Sequence, residues 1–327
     1  LSPEDLILKH RKLRIHAPAI LYFDKVRRCG SFREAARSLN VASSAVNRQI
    51  LKLEEELGTP LFERLPGGLR LTAAGEIFAR HATAVIQDTE RVSSELDALQ
   101  GLRSGHVEIT TVEGVTADLL PDVIERMRSL YPNVSVGVSI MGSTAIPAEI
   151  INGQADLGLA FALLRNNELH QLIRGRFHLG AIMRPDHPLA SHQRLTFASC
   201  AAHPLILSKP DLSIHHLLAP AISHSKNWGK AVVETSSVEL AKKLAMRGAG
   251  IAFQTRIGLE EEMERGDLVH IPVVNNQPVM SDLGLYTRAG RSLPVAVDAF
   301  ARMLMEEIAR RSQQEQELLG SGITPIL

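Results

Sequence analysis

From Ser31 to Leu57 the apolar positions recur at helical rather than alternating spacing. Val46, Ile50, Leu53 and Leu57 share one side at about 100° per residue, and Ser44, Asn47, Arg48 and Lys52 lie on or beside the other. Ser31-Phe32-Arg33-Glu34 has the spacing of a capping box, in which a hydroxyl and a carboxylate satisfy the free N–H groups of a helix start, so a short helix is predicted over Glu34 to Leu39. Asn40 and Val41 make the turn, Ser43 or Ser44 is placed to cap the second helix, and Gly58 stops it. Leu61-Phe62-Glu63-Arg64 and Leu69-Arg70-Leu71 then read as short strands around Pro66-Gly67-Gly68. Together these predict a winged helix-turn-helix. A longer helix follows from Thr72 to about Leu99, where Phe78, Ala82, Val85, Thr89, Val92, Leu96 and Leu99 alternate spacings of four and three. That is a heptad seam on a helix of roughly 40 Å, too long to be covered by a small winged unit. A second copy of the chain is the economical partner; packing on the chain's own body is the alternative.

Gly101, Ser104 and Gly105 suggest a hinge, beyond which short apolar runs alternate with helical stretches. Strands are expected over Val107 to Thr111, Val134 to Met141, Leu157 to Phe161, His178 to Met183, Leu205 to Ser208, Ala231 to Val233, Gly250 to Phe253 and Leu283 to Thr287. Helices fit Asp118 to Leu130, Thr144 to Asn152, Val238 to Arg247, Leu259 to Arg265 and Val295 to Arg311. This βα alternation points to mainly parallel, doubly wound sheets. The Gln- and Glu-rich stretch from Ser312 reads as a loosely attached tail.

The second helix of the winged unit is polar and basic at its start, whereas Glu54, Glu55 and Glu56 make its end acidic, so only its first turns suit a phosphate-lined groove. Taken alone, such a helix also fits a solvated charged face. The motifs in sequence are more specific. Gly30-Ser31-Phe32, Ala35-Ala36, Ser44-Ala45-Val46, Arg48-Gln49-Ile50, Leu53-Glu54, Leu57-Gly58, Leu61-Phe62, Arg64 and Leu71-Thr72-Ala73-Ala74-Gly75 resemble, in order and spacing, the LysR-type transcriptional regulators. The resemblance continues to about residue 311. Asn47 departs from it, standing where the family usually has Ser, and Gly67-Gly68 stands at a wing tip that often carries Arg.

The resemblance implies an α/β chain with a winged helix-turn-helix over 16–73 and a linker helix with hinge over 74–103. An effector-binding domain of two Rossmann-like lobes, like those of periplasmic solute-binding proteins, then covers 104–312. Lobe I spans 104–180 and 284–312, lobe II 181–283, and 313–327 form a tail. The chain is expected to cross between lobes near 178–183 and 281–287. The implied function is sequence-specific transcriptional control by a small-molecule effector bound between the lobes. The implied partners are a pseudo-palindromic DNA duplex, a second copy in a homodimer and further copies in a homotetramer, with RNA polymerase a further candidate.

For DNA, the expected contacts are Ser31, Ser43, Ser44, Asn47, Arg48 and Lys52, with Arg64 and Arg70 of the wing reaching phosphates or a minor groove. For the effector, ligands of open α/β sheets collect beyond the carboxyl ends of strands, where helix N-termini offer free N–H groups. Glu113 and Thr116 follow the first strand, Ser143 and Thr144 the second, and Phe161 ends the third. Ser208, Thr235 and Ser236 complete the set, Ser236 forming a capping box with Glu239. Each hydroxyl alone is equally a helix cap. Glu113 sets a negative charge beside a cleft that would otherwise suit a carboxylate, which points toward an effector bearing an amine.

Composition bounds the remaining classes. A chain of 327 residues, 45% hydrophobic, supports two or three packed units. No run nears the roughly 18 apolar residues of a membrane span, and the charged N-terminal stretch Glu4 to Arg14 lacks the apolar core of a signal peptide, so a cytoplasmic protein is expected. Formal net charge is zero, yet residues 1–80 hold 14 Lys and Arg against 9 Asp and Glu, leaving 22 against 27 for the remainder. A basic module on an acidic body fits local phosphate binding. Cys29 and Cys200 fall in different predicted domains, which argues against a disulfide or thiolate metal site. HExxH, GxSxG and P-loop patterns are absent, and the adjacent His215 and His216 would diverge on a helix, so neither an enzyme nor a metal or cofactor site is expected. An architectural DNA binder, or an enzyme fused to a DNA-binding module, are the competing readings.

Overall fold

The computed structural model describes residues 18–65, 68–99, 105–224, 231–275 and 277–320, in two compact units divided near residue 103. The hinge residues Gly101 and Ser104, the wing-turn residues Pro66 and Gly67, and the N-terminal charged stretch lie outside the described residues. In the first unit, α1 (Pro18–Cys29), α2 (Phe32–Leu39) and α3 (Ser43–Leu57) precede a hairpin of β1 (Phe62–Leu65) and β2 (Gly68–Leu71) and the long α4 (Ala73–Leu99). Ser31 caps α2 as expected, its hydroxyl accepting from Glu34 N at 3.5 Å. Asn40, in the left-handed region at φ 53°, ends it, and Val41 N returns to Ala36 O. This left-handed C-cap is what makes the turn tight.

The start of α3 departs from expectation. Ala42, in extended conformation, is the N-cap and makes no side-chain hydrogen bond, so neither Ser43 nor Ser44 is spent on capping. Glu54 also behaves differently from its neighbours Glu55 and Glu56: its carboxylate accepts from Leu61 N at 2.7 Å and Phe62 N at 3.2 Å. It anchors the wing instead of repelling a phosphate. Thr72 caps α4, accepting from Gly75 N at 3.0 Å while donating to Pro60 O.

The core of this unit gathers Phe23, Val26, Ala35, Val46, Ile50 and Leu61, joined by Ala79 and Ala82 of α4. Phe78 stacks edge-on against Phe23 with ring centroids 4.8 Å apart. Phe78 and Ala82 are therefore committed to the winged core, not to a seam between copies, because the first turns of α4 close the helix-turn-helix themselves. The remaining described heptad positions, Val85, Thr89 and Val92, are half-buried and Leu96 is exposed; the side chain of Leu99 lies outside the description.

The second unit has two lobes. In lobe I, β3 (Gly105–Thr111), α5 (Leu119–Leu130), β4 (Val134–Ile140), α6 (Ile146–Ile151), β5 (Leu157–Phe161) and β6 (Leu169–His178) precede the crossing. Lobe II follows with β7 (Gly180–Met183), β8 (Leu195–Thr196), α7 (Phe197–Cys200), β9 (Ile206–Ser208), α8 (Ser213–His224), β10 (Val233–Thr235), α9 (Val238–Met246) and β11 (Ala252–Gln254). It ends with α10 (Glu260–Glu264), β12 (Val269–Asn275) and β13 (Gln277–Pro278), before β14 (Met280–Arg288) and α11 (Val295–Gly320) return to lobe I.

The lobe I sheet runs β4-β3-β5-β14-β6, parallel in its first three strands and antiparallel where β14 meets β5 and β6. Lobe II pairs β7 antiparallel with both β11 and β12, while β9 and β10 are parallel. The sheets are thus mixed, not mainly parallel: β6 carries the chain out of lobe I and β14 carries it back, so the two must run in opposite directions. The second crossing lies at Val279, ahead of the expected 281–287, because all of β14 pairs within lobe I. The expected loose tail is also corrected. α11 continues to Gly320, and Glu315 is buried, its carboxylate accepting from His178 N at the first crossing.

Candidate functional site

The candidate DNA-reading surface is the outward face of α3. Burying Val46, Ile50 and Leu53 turns the opposite face outward, leaving Ser44 and Arg48 exposed and Ser43 and Asn47 half-exposed at its first turns. Lys52 is exposed one turn on and lies 3.8 Å from Glu56. The wing presents Arg64 and Arg70, the latter paired with Glu63 at 2.7 Å on a 71% exposed side chain, an arrangement weak enough in water to yield to a phosphate. Ser31 is held as the cap of α2.

In the second unit, a cleft of about 390 Å³ opens between the lobes. Glu113, Gly114, Thr116, Ala117 and Ile140 line it from lobe I; Val238, Glu239, Lys242, Gln254, Gly258 and Glu262 line it from lobe II. Of the expected effector residues, Glu113 and Thr116 face this cleft. The others are placed as follows. Ser143 is buried with no hydrogen-bond partner, Thr144 is exposed, and Phe161 packs edge-on against Phe177. The Ser208 carbonyl bonds the His215 ring at 3.0 Å, Thr235 accepts from Ser237 N, and Ser236 donates to Asp211. A larger furrow of about 780 Å³ follows one face of α5 along Pro121, Ile124, Glu125, Arg128, Ser129 and Pro132, all from lobe I.

The sequence reading did not find Lys242, Gln254 and Glu262. Lys242 is only 3% exposed and donates to Glu239 and Glu262, each at 2.8 Å, and to Gly258 O at 3.1 Å. Burial opposes its charge, but the two carboxylate hydrogen bonds hold its pKa above the ordinary lysine value. Glu262 mirrors it: burial opposes ionisation and the Lys242 ammonium lowers its pKa. A charged lysine at i and a glutamate at i−3 was a visible signal; the third partner, from a distant helix, was not.

The capping assignment for α9 is also corrected. Ser237, not Ser236, is the N-cap, accepting from Leu240 N at 3.1 Å. Glu239 turns away to Lys242 and Lys243. Glu113 arrives from lobe I instead, accepting from Ser237 Oγ at 2.9 Å, Val238 N at 2.5 Å and Glu239 N at 3.3 Å.

Behind the cleft, Arg311 of α11 is 4% exposed and bonds four carboxylates: Glu307 at 2.6 Å, Asp122 at 2.8 Å, Asp118 at 3.0 Å and Glu260 at 3.1 Å. At the crossing, His178 and Glu315 pair at 3.2 Å, with Arg256 3.8 Å from the same carboxylate. His270 is buried beside them, Nε2 donating to Gln254 O at 3.1 Å and Nδ1 unpartnered. Burial pushes the His270 pKa down to about 4, reinforced by Arg256 and opposed by Glu315.

Because His270 then binds a proton less readily folded than unfolded, its contribution is complete above the usual histidine value near 6.5 and is lost as pH falls toward 4. The difference corresponds to at most roughly 3 kcal/mol. Glu315, whose pKa is lowered against its burial by the His178 hydrogen bond, adds a second loss at more acid pH. The expected result is a thermal midpoint of the second unit that falls from pH 6.5 to 4 in the native chain, with the upper part of that slope absent in a folded His270→Gln variant.

His187, His203 and Cys200 have structural surroundings. His187 accepts from Leu189 N and packs against His203, while Asp186 pairs with Arg184. Burial pushes the Cys200 thiol up to about 12, far from a reactive thiolate. Among the described residues no group of His, Cys, Asp or Glu is arranged to hold a metal ion, and no helix is long and apolar enough to cross a membrane.

With these surfaces defined, comparison with known proteins gives two family matches. Residues 19–76 match the bacterial regulatory helix-turn-helix protein of the lysR family, and residues 100–309 match the LysR substrate binding domain. A probable RuBisCO transcriptional regulator of Emiliania huxleyi is 25% identical over 287 residues, covering 86% of this chain and 91% of that protein. The HTH-type transcriptional regulator CbbR of Rhizobium meliloti (strain 1021) is 27% identical over 291 residues, covering 88% and 91%. In fold, a full-length OxyR variant from Pseudomonas aeruginosa aligns with a TM-score of 0.72 at 17% identity, covering 89% of this chain and 95% of the other.

Proposed function

The chain belongs to the lysR family of bacterial regulatory helix-turn-helix proteins, and we propose that it is a sequence-specific transcription regulator whose DNA binding responds to a small molecule in the interlobe cleft. The observation that carries this reading is the coexistence, in one chain, of a reading helix with an uncommitted polar face and a two-lobed domain with a polar cleft. An architectural DNA binder would have no use for the second feature, and an enzyme none for the first.

Ser43, Ser44, Asn47 and Arg48 of α3 are assigned to base edges and adjacent phosphates, with Arg64 and Arg70 on the backbone. The bare Ala42 cap leaves both serine hydroxyls available. Glu113 and Thr116, together with Lys242 and Gln254, form the effector surface; no cofactor or catalysis enters. Copies pair through the distal part of α4, where Val85, Thr89 and Val92 are half-buried and Leu96 is exposed, and a dimer so formed reads a pseudo-palindrome, with tetramer assembly through the second unit. The site of action is the cytoplasm, at promoters engaged by RNA polymerase.

The test is binding of the full chain to a duplex selected from a random pool, then to its single-base variants at fixed salt. Asn47→Ala is expected to lose about 1 to 3 kcal/mol of discrimination at one position per half-site, the worth of a bidentate amide–adenine contact. Arg64→Ala is expected to weaken all variants alike and to reduce the salt dependence. An Asn47→Ala profile parallel to the native one contradicts direct readout by α3.

A further inference from the structure

The N-terminus of α9 leaves backbone N–H groups free, and in a capping box an acidic side chain from the helix's own first turn would meet one of them. Here that position is Leu240, and Glu239 is drawn off by Lys242 and Lys243. The Ser237 N–H is taken by Thr235 Oγ1, and the next two N–H groups are met from the other lobe. Glu113, in a short 3-10 turn after β3, places its carboxylate on the Ser237 hydroxyl and on the Val238 and Glu239 N–H groups. Three converging donors at the positive end of a helix dipole are the usual receptor for a small carboxylate.

The same loop makes a second contact of the same kind. Asp118, at the start of α5, accepts from Gly258 N of lobe II at 2.8 Å. Gly258, at φ +80°, has no room for a side chain, since a Cβ there would lie 2.5 Å from the Gly114 carbonyl oxygen. The two lobes therefore meet along Glu113, Gly114 and Asp118, and two acidic side chains of lobe I accept from backbone donors of lobe II.

We propose that Glu113 is a resident carboxylate ligand of lobe II: a clasp that holds the cleft shut from within and occupies the position a small-molecule carboxylate would otherwise take. The inference rests on the cleft being the regulatory site, and it deepens that reading. An acid-bearing effector acts by displacing Glu113 from α9, exchanging an interlobe contact for a ligand contact and so shifting the population toward separated lobes. This revises the expectation drawn from charge alone, that Glu113 selects an amine. Its charge is already matched by N–H donors.

The test uses the full-length chain and sodium acetate as probe. Glu113→Ala vacates a carboxylate-sized position, so its thermal midpoint is expected to fall, and acetate at millimolar concentration to restore part of the loss saturably. Acetamide and sodium chloride at matched ionic strength are expected to do neither, and the native chain, with its position filled, to show no acetate response. A Glu113→Ala chain as stable as the native one, or one that acetate does not rescue, overturns the proposal, as does equal stabilisation of both chains. Glu113→Gln supplies a second readout if the alanine variant folds only in acetate: hydrogen exchange at the Val238 and Glu239 amides is expected to accelerate at least tenfold, and unchanged protection overturns the clasp. These measurements read the contact itself, so their failure would leave ligand-responsive DNA binding standing, whereas loss of DNA binding or ligand response in the native chain would remove the broader reading while leaving the clasp intact.

Discussion

Arg311→Met is expected to lower the stability of the second unit by about 3 kcal/mol, the lower end of the cost of breaking a buried ion pair from one side. The reason lies in the carboxylates left behind. The side chains of Asp118 and Glu307 are only 12% and 15% exposed; without the Arg311 guanidinium Asp118 keeps the Gly258 N–H and Glu307 keeps Arg310, but each loses a charge-assisted partner that water replaces only at the expense of packing. The Glu307 pKa is held down to about 2, by hydrogen bonds to Arg310 and Arg311 against the cost of burial. Asp122 and Glu260 are 58% and 51% exposed and recover water, so they add little. For a domain of this size the loss corresponds to roughly 6 to 12 °C in the thermal midpoint. Arg311 also joins α11 and the start of α5 in lobe I to Glu260 in lobe II. The variant should therefore open the lobes as well as destabilise them, a change visible as faster hydrogen exchange at Gly258.

Gly75→Ala is expected to do comparable damage in the winged unit. A Cβ at Gly75 would lie 2.1 Å from the Leu61 carbonyl oxygen and 3.1 Å from Leu71 Cδ2. The first of these is backbone and already accepts from Thr72 N, so it cannot turn aside as a side chain end would. Relief requires the start of α4 to move away from β1, breaking the Thr72 cap and loosening the anchor that Glu54 provides to the wing. A cost of about 3 kcal/mol, at the upper end for overpacking, is a large share of what a small unit has. The expected outcome is loss of DNA binding with the second unit's unfolding transition unchanged. Gly58→Ala is the control: its φ of +68° imposes strain of about 1 kcal/mol, but nothing lies within 4 Å of the new methyl group. Calorimetry of the full chain separates the two transitions.

What could be read from the amino acids follows from the range over which each feature is determined. α2, α3 and α4 announce themselves because their periodicity and caps are set within a few residues, as with Ser31, Asn40 and Gly58. β3 and β5 were legible as compact apolar runs. β6 was not, because at the sheet edge its Leu169–His178 sequence alternates irregularly between buried and exposed positions. β12 was missed for another reason: Pro272 sits in the middle of the run, and proline ordinarily argues against an interior strand. Phe78 and Ala82 fit the heptad, yet periodicity cannot say whether an apolar face meets its own domain or a second chain.

At the site, sequence reasoning reached Glu113 and Thr116 because strand ends in α/β sheets are predictable places for polar groups. It did not reach the bond from Glu113 to α9, which joins residues 124 or more apart in the chain. The local pattern instead offered Ser236 and Glu239 as a self-sufficient cap, one position out of register. The Lys242–Glu262 pair and the four partners of Arg311 were likewise beyond reach, since each depends on how helices from different parts of the chain are brought together. Glu315 shows the same limit, as a Gln- and Glu-rich stretch looks like a solvated tail until its one buried carboxylate finds His178.

The most direct measurement is a nuclease footprint of the full-length chain on its selected operator, taken with and without a metabolite that raises the thermal midpoint of the native protein. The ligand is expected to alter the length or phasing of the protected region while the half-site contacts of α3 persist. A footprint identical at saturating ligand, with binding to the second unit verified in the same sample, would contradict it.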